Sequence, residues 1–471
     1  MPVGDIVPEL VLIGGAVTAL LWALFVPRRL QRGSALLALT ALAIAAGSSA
    51  AQLAPGQTLT FFSTWAIDDA AIWGKFVIMG IAAVTIAFSV DWFRDDPRHG
   101  EFYTLLLLST LGAVVLASAA DTMELILGVL LSSATGYVLA GYHRRSPESA
   151  EAAIKYYLLG GLASGAMMYG AVLLFGLAAT TTLAGMATSL SAVDPLPLVV
   201  GASLFVVGLL FKLGAVPAHA WMPDVADGSP APSAAFLTAA PKVGALIALG
   251  RLVLVLPEDG AGWRWLVAAV AAATMTLGNL AALWQEDVRR LLGWSAVSQS
   301  GYALMAVAAL GRSTLAVPAL LLFLVAYVLG NLAAFGVVAQ LRGLRRRSDY
   351  AGLGRSRPWL AGALLLAFLS FVGIPPLVGF AGKLSLFAAA IEAGYAWLAI
   401  LAVANTVVSL VYYLRVLAPA YLDRPAASAP SLGVWAAAGT LACAAGIVAA
   451  GIGAEALLRR FATATLLPGG G

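Results

Sequence analysis

The sequence has little charge and almost no cysteine. Only 11% of its 471 residues are Asp, Glu, Lys or Arg, against about a quarter in an ordinary soluble domain. The single cysteine, Cys443, cannot form an internal disulfide or hold a metal cluster, so we expect it to pack as a small hydrophobic residue. The three histidines are widely separated, at His99, His143 and His219. No haem or iron–sulfur ligand set and no glycine-rich phosphate loop is present in the sequence, which argues against redox chemistry within this chain.

Apolar runs fill the rest of the length, since 61% of the residues are apolar. Each run is near the roughly 20 residues that cross a bilayer as a helix. A soluble helical protein would need amphipathic stripes, whereas these runs are apolar on all sides. We therefore predict an all-α polytopic membrane protein with about fourteen transmembrane helices. Their predicted spans are 6–26, 35–54, 70–90, 101–119, 123–141, 152–178, 196–217, 233–256, 263–283, 292–310, 315–341, 359–390, 395–418 and 434–454.

The arginines predict the orientation in the membrane. Sixteen of the 22 arginines fall in the odd-numbered connections, and four fall in the even-numbered connections and the tail. Loops on the cytoplasmic side carry an excess of Lys and Arg. Both termini are therefore predicted on the outer face, and an even number of helices also requires them to share a face. The chain start before and within the first run carries Asp5 and Glu9 and no basic residue, so we expect the run to be retained as a helix rather than cleaved as a signal peptide.

The five lysines differ from the arginines, because all of them lie in or beside apolar segments. They are Lys75, Lys155, Lys212, Lys242 and Lys383. A guanidinium group stays charged, whereas an ammonium group can release its proton in an apolar site. Each intramembrane lysine is costly unless it faces a polar cavity or partner. We expect Lys75, near a segment end, to extend its ammonium group to the interface, and the other four to mark a polar path.

Two predicted segments are interrupted by glycine and proline. Segment seven breaks at "GAVPAHAWMPD", and segment twelve breaks within "FVGIPPLVGFAGKLSLF", residues 371–387. Paired, proline-interrupted segments are typical of transporter repeats. Segments four to eight would then correspond to nine to thirteen, and five helices per unit make the two repeats inverted. The predicted units are 1–100 with helices 1–3, 101–257 and 258–418 as the two repeats, and 419–471 with the last helix and tail. For either break alone, a plain proline kink is the alternative.

Six motifs carry a resemblance to a known family. They are "EAAIKYYLLGGLASG" (151–165), "FKLGAVPAHAWMPDVADGSPAPSAAFLTAAPKVGA" (211–245), "NLAALWQEDVRRLLGWSAVSQSGY" (279–302), "YVLGNLAAFGVV" (327–338), "GIPPLVGFAGKLSLF" (373–387) and "VVSLVYYLRV" (407–416). On these motifs the sequence resembles the antiporter-like membrane-arm subunits of respiratory complex I. The similarity runs from about residue 100 to residue 418. Two features favour the subunit N branch: Lys383 stands in the twelfth-helix break, and the chain stops about 17 residues after its last helix.

The resemblance implies a proton-translocating, redox-inactive subunit of a type I NADH-quinone oxidoreductase in the bacterial inner membrane. In the family, a chain of intramembrane lysines moves protons while quinone is reduced elsewhere in the complex. Lys212 would be the pumping lysine, Lys155 and Lys242 would carry the central axis with His219 nearby, and Lys383 would lie on the exit or connecting side. No cofactor is expected in this chain, since NADH, FMN, iron–sulfur clusters and quinone belong to partner subunits. The expected partners are other membrane-arm subunits and the lipid bilayer, with no nucleic acid.

The sequence departs from the family in its fifth helix. There the family has a glutamate that pairs with the seventh-helix lysine, but "ILGVLLSSATGYVLAGYHRR" (126–145) places Leu130 at that position. Glu124 lies six residues earlier, about 9 Å along a helix and ~240° around it, so it is no positional substitute. We expect Glu124 to cap the outer end of the helix. Gln299 stands where subunit N usually has histidine; glutamine can orient water but does not titrate.

Two alternatives therefore stay open beside the complex I hypothesis. The chain could belong to a multisubunit cation/proton antiporter or to a relative of the membrane-bound hydrogenases. It could also be a structural paralogue that pumps weakly because Leu130 replaces the usual glutamate. Neighbouring genes separate the first alternative from complex I, and the effect of replacing Lys212 tests the second.

Overall fold

The computed structural model describes residues 2–53, 57–96, 98–257, 262–424 and 433–467. Within these ranges the chain is built almost entirely of α-helices, with one short antiparallel hairpin. The predicted boundary between the two repeats, at residues 257 and 258, borders a segment outside the described residues.

The elements follow one another along the chain as a series of long helices joined by short connections. The helices are α1 (Val7–Phe25), α2 (Gly33–Ala51), α3 (Asp69–Trp92), α4 (His99–Ser118), α5 (Thr122–Ala140), α6 (Pro147–Ala178), α7 (Leu183–Ser189), α8 (Pro195–Leu213), α9 (Trp221–Gly228), α10 (Ala231–Leu237), α11 (Ala240–Val255), α12 (Trp263–Leu283), α13 (Val288–Ala309), α14 (Ala316–Gln340), α15 (Leu353–Ser356), α16 (Pro358–Val372), α17 (Val378–Glu392), α18 (Ala396–Leu422), α19 (Val434–Ile452) and α20 (Ala454–Phe461). The strands β1 (Thr58–Thr60) and β2 (Trp65–Ile67) pair before α3.

The structure confirms a helical, polytopic membrane protein, but not the expected count of fourteen spans. In the described residues, twelve helices are long and apolar enough to cross a membrane. The two predicted segments that fall outside this count are the tenth and the twelfth. The tenth is α13, which is 22 residues long but is less apolar, because it carries buried serine and glutamine side chains. The twelfth is divided into α16 and α17, each only 15 residues long.

Both predicted interruptions are present, and segment eight contains a third. Segment seven stops at α8 and resumes as the short α9, and segment twelve is divided between α16 and α17. Segment eight is divided into α10 and α11 at residues 238–239, which the sequence analysis did not predict. Thr238 at this point still has its backbone carbonyl bound, because the Tyr327 hydroxyl donates to it at 2.7 Å.

The same backbone contact occurs in both predicted repeats. Asp121 caps the start of α5 and forms a β-bridge with Thr182, which follows α6. Asp287 caps the start of α13 and forms a β-bridge with Arg346, which follows α14. The two aspartates are 287 − 121 = 166 residues apart. The first bridge carries threonine and the second arginine, in agreement with repeats that place equivalent loops on opposite faces of the membrane.

A close helix contact repeats with the same spacing. A Cβ atom at Gly112 of α4 would lie 2.5 Å from the backbone nitrogen of Ser132 on α5. A Cβ atom at Gly278 of α12 would lie 2.5 Å from the backbone nitrogen of Ser298 on α13. Glycine lets two helix backbones approach closely, which is how helices associate in a membrane without a hydrophobic driving force. These matched contacts support the two-repeat organisation.

An ion pair within the bundle joins helices α1 and α3. The Lys75 ammonium lies 2.8 Å from a carboxylate oxygen of Glu9, and only 1% of the Lys75 side chain is exposed. The expectation that Lys75 extends to the interface is therefore wrong. A carboxylate on the adjacent helix compensates the buried charge, so the lysine has no need to reach water.

A second buried pair attaches the C-terminal segment to the bundle. Arg251 and Asp68 are both 0% exposed and form a bidentate ion pair, with one of its contacts at 2.9 Å. The backbone nitrogen of Leu467 donates to the same aspartate at 2.8 Å, and Arg251 also donates to the carbonyl of Ala117 at 3.0 Å. Each charge therefore has several partners inside the bundle, which offset the loss of its contacts with water.

Alanine at the close-contact glycines should destabilise the protein. At Gly112 and Gly278 the added methyl group meets helix backbone, which cannot move aside. Overpacking of this kind costs about 1–3 kcal/mol. We expect Gly112→Ala and Gly278→Ala each to lower the midpoint of thermal unfolding in detergent. Gly80→Ala is the matched control, because a Cβ there has nothing within 4 Å. Equal midpoints for all three variants would contradict the packing argument.

Candidate functional site

The first break, residues 214–220, begins with a glycine in a left-handed conformation. Gly214 has φ +63° and ends α8, with its backbone nitrogen donating to the carbonyl of Phe211 at 3.0 Å. The Val216–Pro217 peptide bond within the break is cis. The backbone nitrogen of Val216 donates to the Thr274 hydroxyl at 3.1 Å.

Side chains also satisfy two of the carbonyls that the break frees. The indole nitrogen of Trp221 donates to the Phe211 carbonyl at 2.8 Å. The Ser300 hydroxyl on α13 donates to the Leu213 carbonyl at 2.6 Å. Inside a membrane an unpaired backbone group is costly, so these bonds hold the interruption open at a defined place.

Lys212 lies two residues before this glycine and is fully buried. Its ammonium donates to the Ser132 hydroxyl on α5 at 3.2 Å and lies 5.8 Å from the centres of the Tyr156 and Phe211 rings. Among the described residues, no carboxylate oxygen lies within 4.0 Å of this ammonium group. Its immediate environment is therefore a hydroxyl group and aromatic faces.

Lys242 is held against α13. It is 1% exposed and donates to the Ala296 carbonyl at 2.6 Å and to the Tyr327 hydroxyl at 3.2 Å. Its ammonium also lies 4.4 Å from the centre of the Tyr327 ring, a favourable cation–π distance. Hydroxyl, carbonyl and ring together satisfy this ammonium without a carboxylate.

Lys383 lies in the second break region, residues 373–377 and the first turns of α17. Gly373 ends α16 with φ +91°, and the Pro375–Pro376 bond is cis. The Lys383 ammonium donates to the Val372 carbonyl at 3.4 Å and to the Thr406 hydroxyl at 3.3 Å. It lies 4.0 Å from the centre of the Tyr302 ring. The lysine thus satisfies a carbonyl that the break itself has freed.

Helix α13 contacts both breaks and two of the buried lysines. Ser300 binds the first break, and the Gln299 amide donates to the Phe371 carbonyl at the second break at 3.4 Å. The Ala296 carbonyl accepts from Lys242, and the Tyr302 ring lies against Lys383. Residues 296–302 of one helix therefore connect the polar groups of the two predicted repeats.

Comparison with known proteins shows the family. Residues 119–409 match the model of the family described as NADH:quinone oxidoreductase/Mrp antiporter, TM. The chain belongs to this membrane family. It is 43% identical to NADH-quinone oxidoreductase subunit N 1 of Streptomyces griseus over 96% of each chain. It is 42% identical to the subunit N of Mycobacterium sp. strain JLS over 88% of each chain.

Solved structures of complexes contain chains of the same fold. One is from respiratory complex I of Thermus thermophilus, with a TM-score of 0.84, 30% identity and coverage of 96% of this chain and 98% of that chain. Another is from the Mrp complex of Dietzia sp., with a TM-score of 0.84, 22% identity and coverage of 98% of this chain and 97% of that chain. At 22% identity the second likeness concerns the fold alone.

The family resemblance led us to expect position 130 opposite Lys212, and the structure does not show this. Leu130 lies on the outer surface of α5 and is 37% exposed, whereas Ser132 is buried and bonded to Lys212. Two residues along a helix differ by about 200° in direction. The side chain that meets Lys212 within this chain is therefore Ser132, and Leu130 points away from the bundle.

Glu124 does not replace the missing acid within this chain. It lies in the first turn of α5, eight residues before Ser132, which corresponds to about 12 Å along the helix. The cap of this helix is Asp121, whose carboxylate accepts from the backbone nitrogen of Met123 at 2.7 Å, and not Glu124 as expected. One carboxyl oxygen of Glu124 is buried without a hydrogen-bond partner in the described residues.

Lys155 is the lysine whose surroundings differ most from the expectation. Its side chain is 43% exposed and pairs with Glu151 at 2.6 Å and with Asp224 of α9 at 3.1 Å. Arg290 binds the same aspartate at 2.6 Å. The odd-numbered connections, which hold sixteen of the arginines, form what we call the arginine-rich face. Lys155 lies in an ion-pair cluster on this face, apart from the buried lysines, because the acidic α9 that follows the first break reaches it.

His219 is placed inside the first break, as its sequence position required. Its ring packs against Trp294 of α13 with 5.7 Å between the ring centres. In the described residues its ring makes no hydrogen bond to Lys212 or Lys242. Its role in proton transfer stays a prediction.

Several groups around the lysines were not anticipated. They are Ser132, Tyr302, Tyr327 and Thr406, each bonded to or stacked on a lysine. The signal for them is a polar group inside an apolar segment, as in the run "SAVSQSGY" of α13. In a membrane helix such groups find partners or face cavities.

Removing the Thr274 hydroxyl should weaken the first break. Thr274→Val leaves the backbone nitrogen of Val216 without its acceptor, at a cost of about 1–3 kcal/mol. We expect a lower midpoint of thermal unfolding. Thr40→Val is the control, because that exposed hydroxyl bonds only within its own helix, to the Leu36 carbonyl. A midpoint unchanged in both variants would show that the break does not depend on this bond.

Proposed function

We propose that the chain is a membrane subunit of the subunit N type in a bacterial NADH-quinone oxidoreductase, and that it transfers protons across the inner membrane. The observation that carries the proposal is Lys212, fully buried beside an interrupted helix and bonded to a neutral hydroxyl. The relatives support the assignment to this complex, because both are named subunit N and both match this chain over most of their length.

Ser132 suits Lys212 in both protonation states. A hydroxyl accepts a hydrogen bond from an ammonium group and can turn to donate one to a neutral amine. A fixed carboxylate would instead hold the lysine charged. With a hydroxyl as its partner, the protonation of Lys212 responds to any charge that approaches from outside the chain.

The buried lysines would be steps on one route, connected by hydroxyl groups and by water. Lys242 meets the Tyr327 hydroxyl, and Lys383 meets the Thr406 hydroxyl, which also lies 3.2 Å from the Tyr302 hydroxyl. Hydroxyl groups can pass protons as both donors and acceptors. In this proposal Lys155 and the acids of α9 form the loading side on the arginine-rich face, and Lys383 lies on the exit side.

The chain itself would carry no redox group. Electron transfer from NADH through FMN and iron–sulfur clusters to quinone would take place in partner subunits, and other antiporter-like membrane subunits would be its neighbours. Both termini would lie on the outer side, as the distribution of arginines indicates. The reaction belongs to the complex, which is a translocase, and this subunit supplies the proton path.

Cation/proton antiport is the second candidate function. The matched family includes Mrp antiporters, and a chain of the Mrp complex has the same fold. The two functions differ in their driving force: antiport consumes an ion gradient, whereas the proposed subunit depends on NADH oxidation. A sodium gradient that moves protons in vesicles without NADH would favour antiport.

Replacing Lys212 should uncouple proton transfer through this chain from NADH oxidation in the complex. We expect Lys212→Ala to slow proton transfer through the subunit by roughly 100-fold or more, the size of a lost acid–base group. Lys212→Arg should have the same effect, since a guanidinium does not release its proton. The measurement is vesicle acidification divided by the rate of NADH oxidation, with assembly checked for each variant. An unchanged ratio in both assembled variants would remove Lys212 from the path.

Ser132→Ala should also impair pumping, through loss of the hydroxyl that contacts Lys212. One hydrogen bond is worth about 1 kcal/mol, so a roughly fivefold loss of rate is expected. The matched control is Ser133→Ala, because Ser133 is buried at the next position but does not bond to Lys212. If both variants pump equally, the serine acts only in packing.

A further inference from the structure

A cavity of about 720 Å³ lies on the arginine-rich face, away from the buried lysines. Its basic and aromatic lining residues include Trp92, Arg98, His143, Arg144, Arg145 and Arg342. These residues lie where α3, α5 and α14 end and where α4 and α6 begin. Because five membrane helices end there, the cavity lies at the level of the lipid headgroups.

Two of the arginines are fixed by aromatic neighbours. The Arg342 guanidinium lies 4.6 Å from the centre of the Trp92 ring and donates to the Trp92 carbonyl at 3.4 Å. The Arg98 guanidinium lies 5.1 Å from the centre of the Tyr142 ring and donates to the Tyr142 carbonyl at 3.1 Å. Stacked guanidinium groups are oriented before a ligand arrives, which reduces the entropy lost on binding.

The other two arginines have no counter-charge within the described chain. Arg144 and Arg145 are exposed and form no ion pair with a described residue. The cavity also contains Asp95 and Asp96, so four arginines against two aspartates leave a formal charge of +2 with neutral histidine. Asp96 is already engaged, since it accepts from the backbone nitrogen of Arg98 at 2.8 Å.

His143 adds a neutral donor to the same wall. The Trp92 indole donates to its Nε2 at 3.2 Å, so the neutral ring carries its proton on Nδ1. Burial, followed by the positive charge of Arg342, lowers the pKa of His143. The histidine therefore stays neutral at physiological pH, and the positive charge of the cavity comes from its arginines.

The surplus charge distinguishes this cavity from the neighbouring arginine cluster. There Arg290 pairs with Asp224 at 2.6 Å, and Arg345 pairs with Asp287 at 2.9 Å and also with Asp227. That cluster is compensated within the chain. In the cavity Arg98 lies 3.6 Å from Asp96, whereas Arg144 and Arg145 have no such partner in the described chain and can take an anion from outside it.

We propose that this cavity binds the phosphate group of an anionic membrane lipid. Arginine forks match the geometry of phosphate oxygens, and basic pockets between membrane helices on the cytoplasmic side hold lipid headgroups. A soluble phosphate shares this chemistry, but the position at five helix ends favours a ligand that is anchored in the bilayer. The proposal does not depend on the proton path.

The test uses the purified complex in phosphatidylcholine vesicles that contain a few per cent of phosphatidylglycerol with a diazirine near the top of one acyl chain. After illumination, peptides are mapped with a protease that does not cut at arginine. We expect labelling around residues 92–98 and 142–146. Each arginine near an anionic headgroup contributes roughly fivefold in affinity, so Arg144→Gln/Arg145→Gln should reduce that labelling about 25-fold.

The control variant removes the same charge from the same face. Arg28→Gln/Arg355→Gln changes two exposed arginines that lie outside the cavity, and labelling of the cavity peptides should persist. Equal loss in both double variants would mean general surface attraction and would overturn the proposal. So would labelling that persists in Arg144→Gln/Arg145→Gln.

Two further measurements distinguish an anionic lipid from other ligands of the cavity. Photoactivatable phosphatidylcholine should label these peptides weakly, and equal labelling by both lipids would overturn the requirement for an anionic headgroup. Inorganic phosphate at low millimolar concentration should not compete; if it abolishes labelling, the site is one for soluble phosphate. If the wild-type cavity peptides instead cross-link only to an acidic segment of a neighbouring subunit, the cavity is a protein interface and the lipid proposal fails.

Discussion

The hydrocarbon interior of a membrane sets the main constraint on this structure, because a backbone amide or carbonyl that leaves a helix finds no water there. The chain interrupts its helices in the bundle interior and must supply partners for every group released. Hydroxyl, indole and amide side chains do so, and at the second break the lysine itself does. A side chain that could transfer protons, Lys383, therefore also stabilises an interrupted helix.

Helix α13 is the element on which this arrangement depends. Its polar residues face two breaks in different predicted repeats, so the helix cannot rotate without leaving groups at both breaks unpaired. The matched glycine contact with α12 fixes its distance as well. This explains why the tenth segment is less apolar than its neighbours: its polar side chains are buried against protein rather than facing lipid.

The sequence was sufficient for the fold class and for two of the three breaks, because these depend on composition and on glycine and proline, but it did not predict the division of segment eight. It was not sufficient for the direction of side chains. A helix that is apolar on all sides has no stripe to show which face is inward, so the setting of α5, with Ser132 inward and Leu130 outward, could not be predicted. Nor could the pairing of Lys155 with Asp224, which depends on how the chain returns after the first break.

The outward direction of Leu130 also changes the meaning of the missing glutamate. An acid at this position would lie on the surface of the chain, where a neighbouring subunit or lipid would meet it, and not against Lys212 across the interior. The loss of that acid therefore changes the outer surface of α5 more than the immediate environment of the lysine, whose hydroxyl partner is intact.

The two lysines at the breaks are not equivalent in sequence, and the proposed topology explains how they can still cooperate. Lys212 comes two residues before Gly214, whereas Lys383 comes ten residues after Gly373. In inverted repeats, α8 runs inward and α17 runs outward. A lysine before the first break and a lysine after the second then both lie on the outer side of their breaks. Each break then lies between its lysine and the arginine-rich face, an arrangement that equivalent positions in inverted repeats would not give.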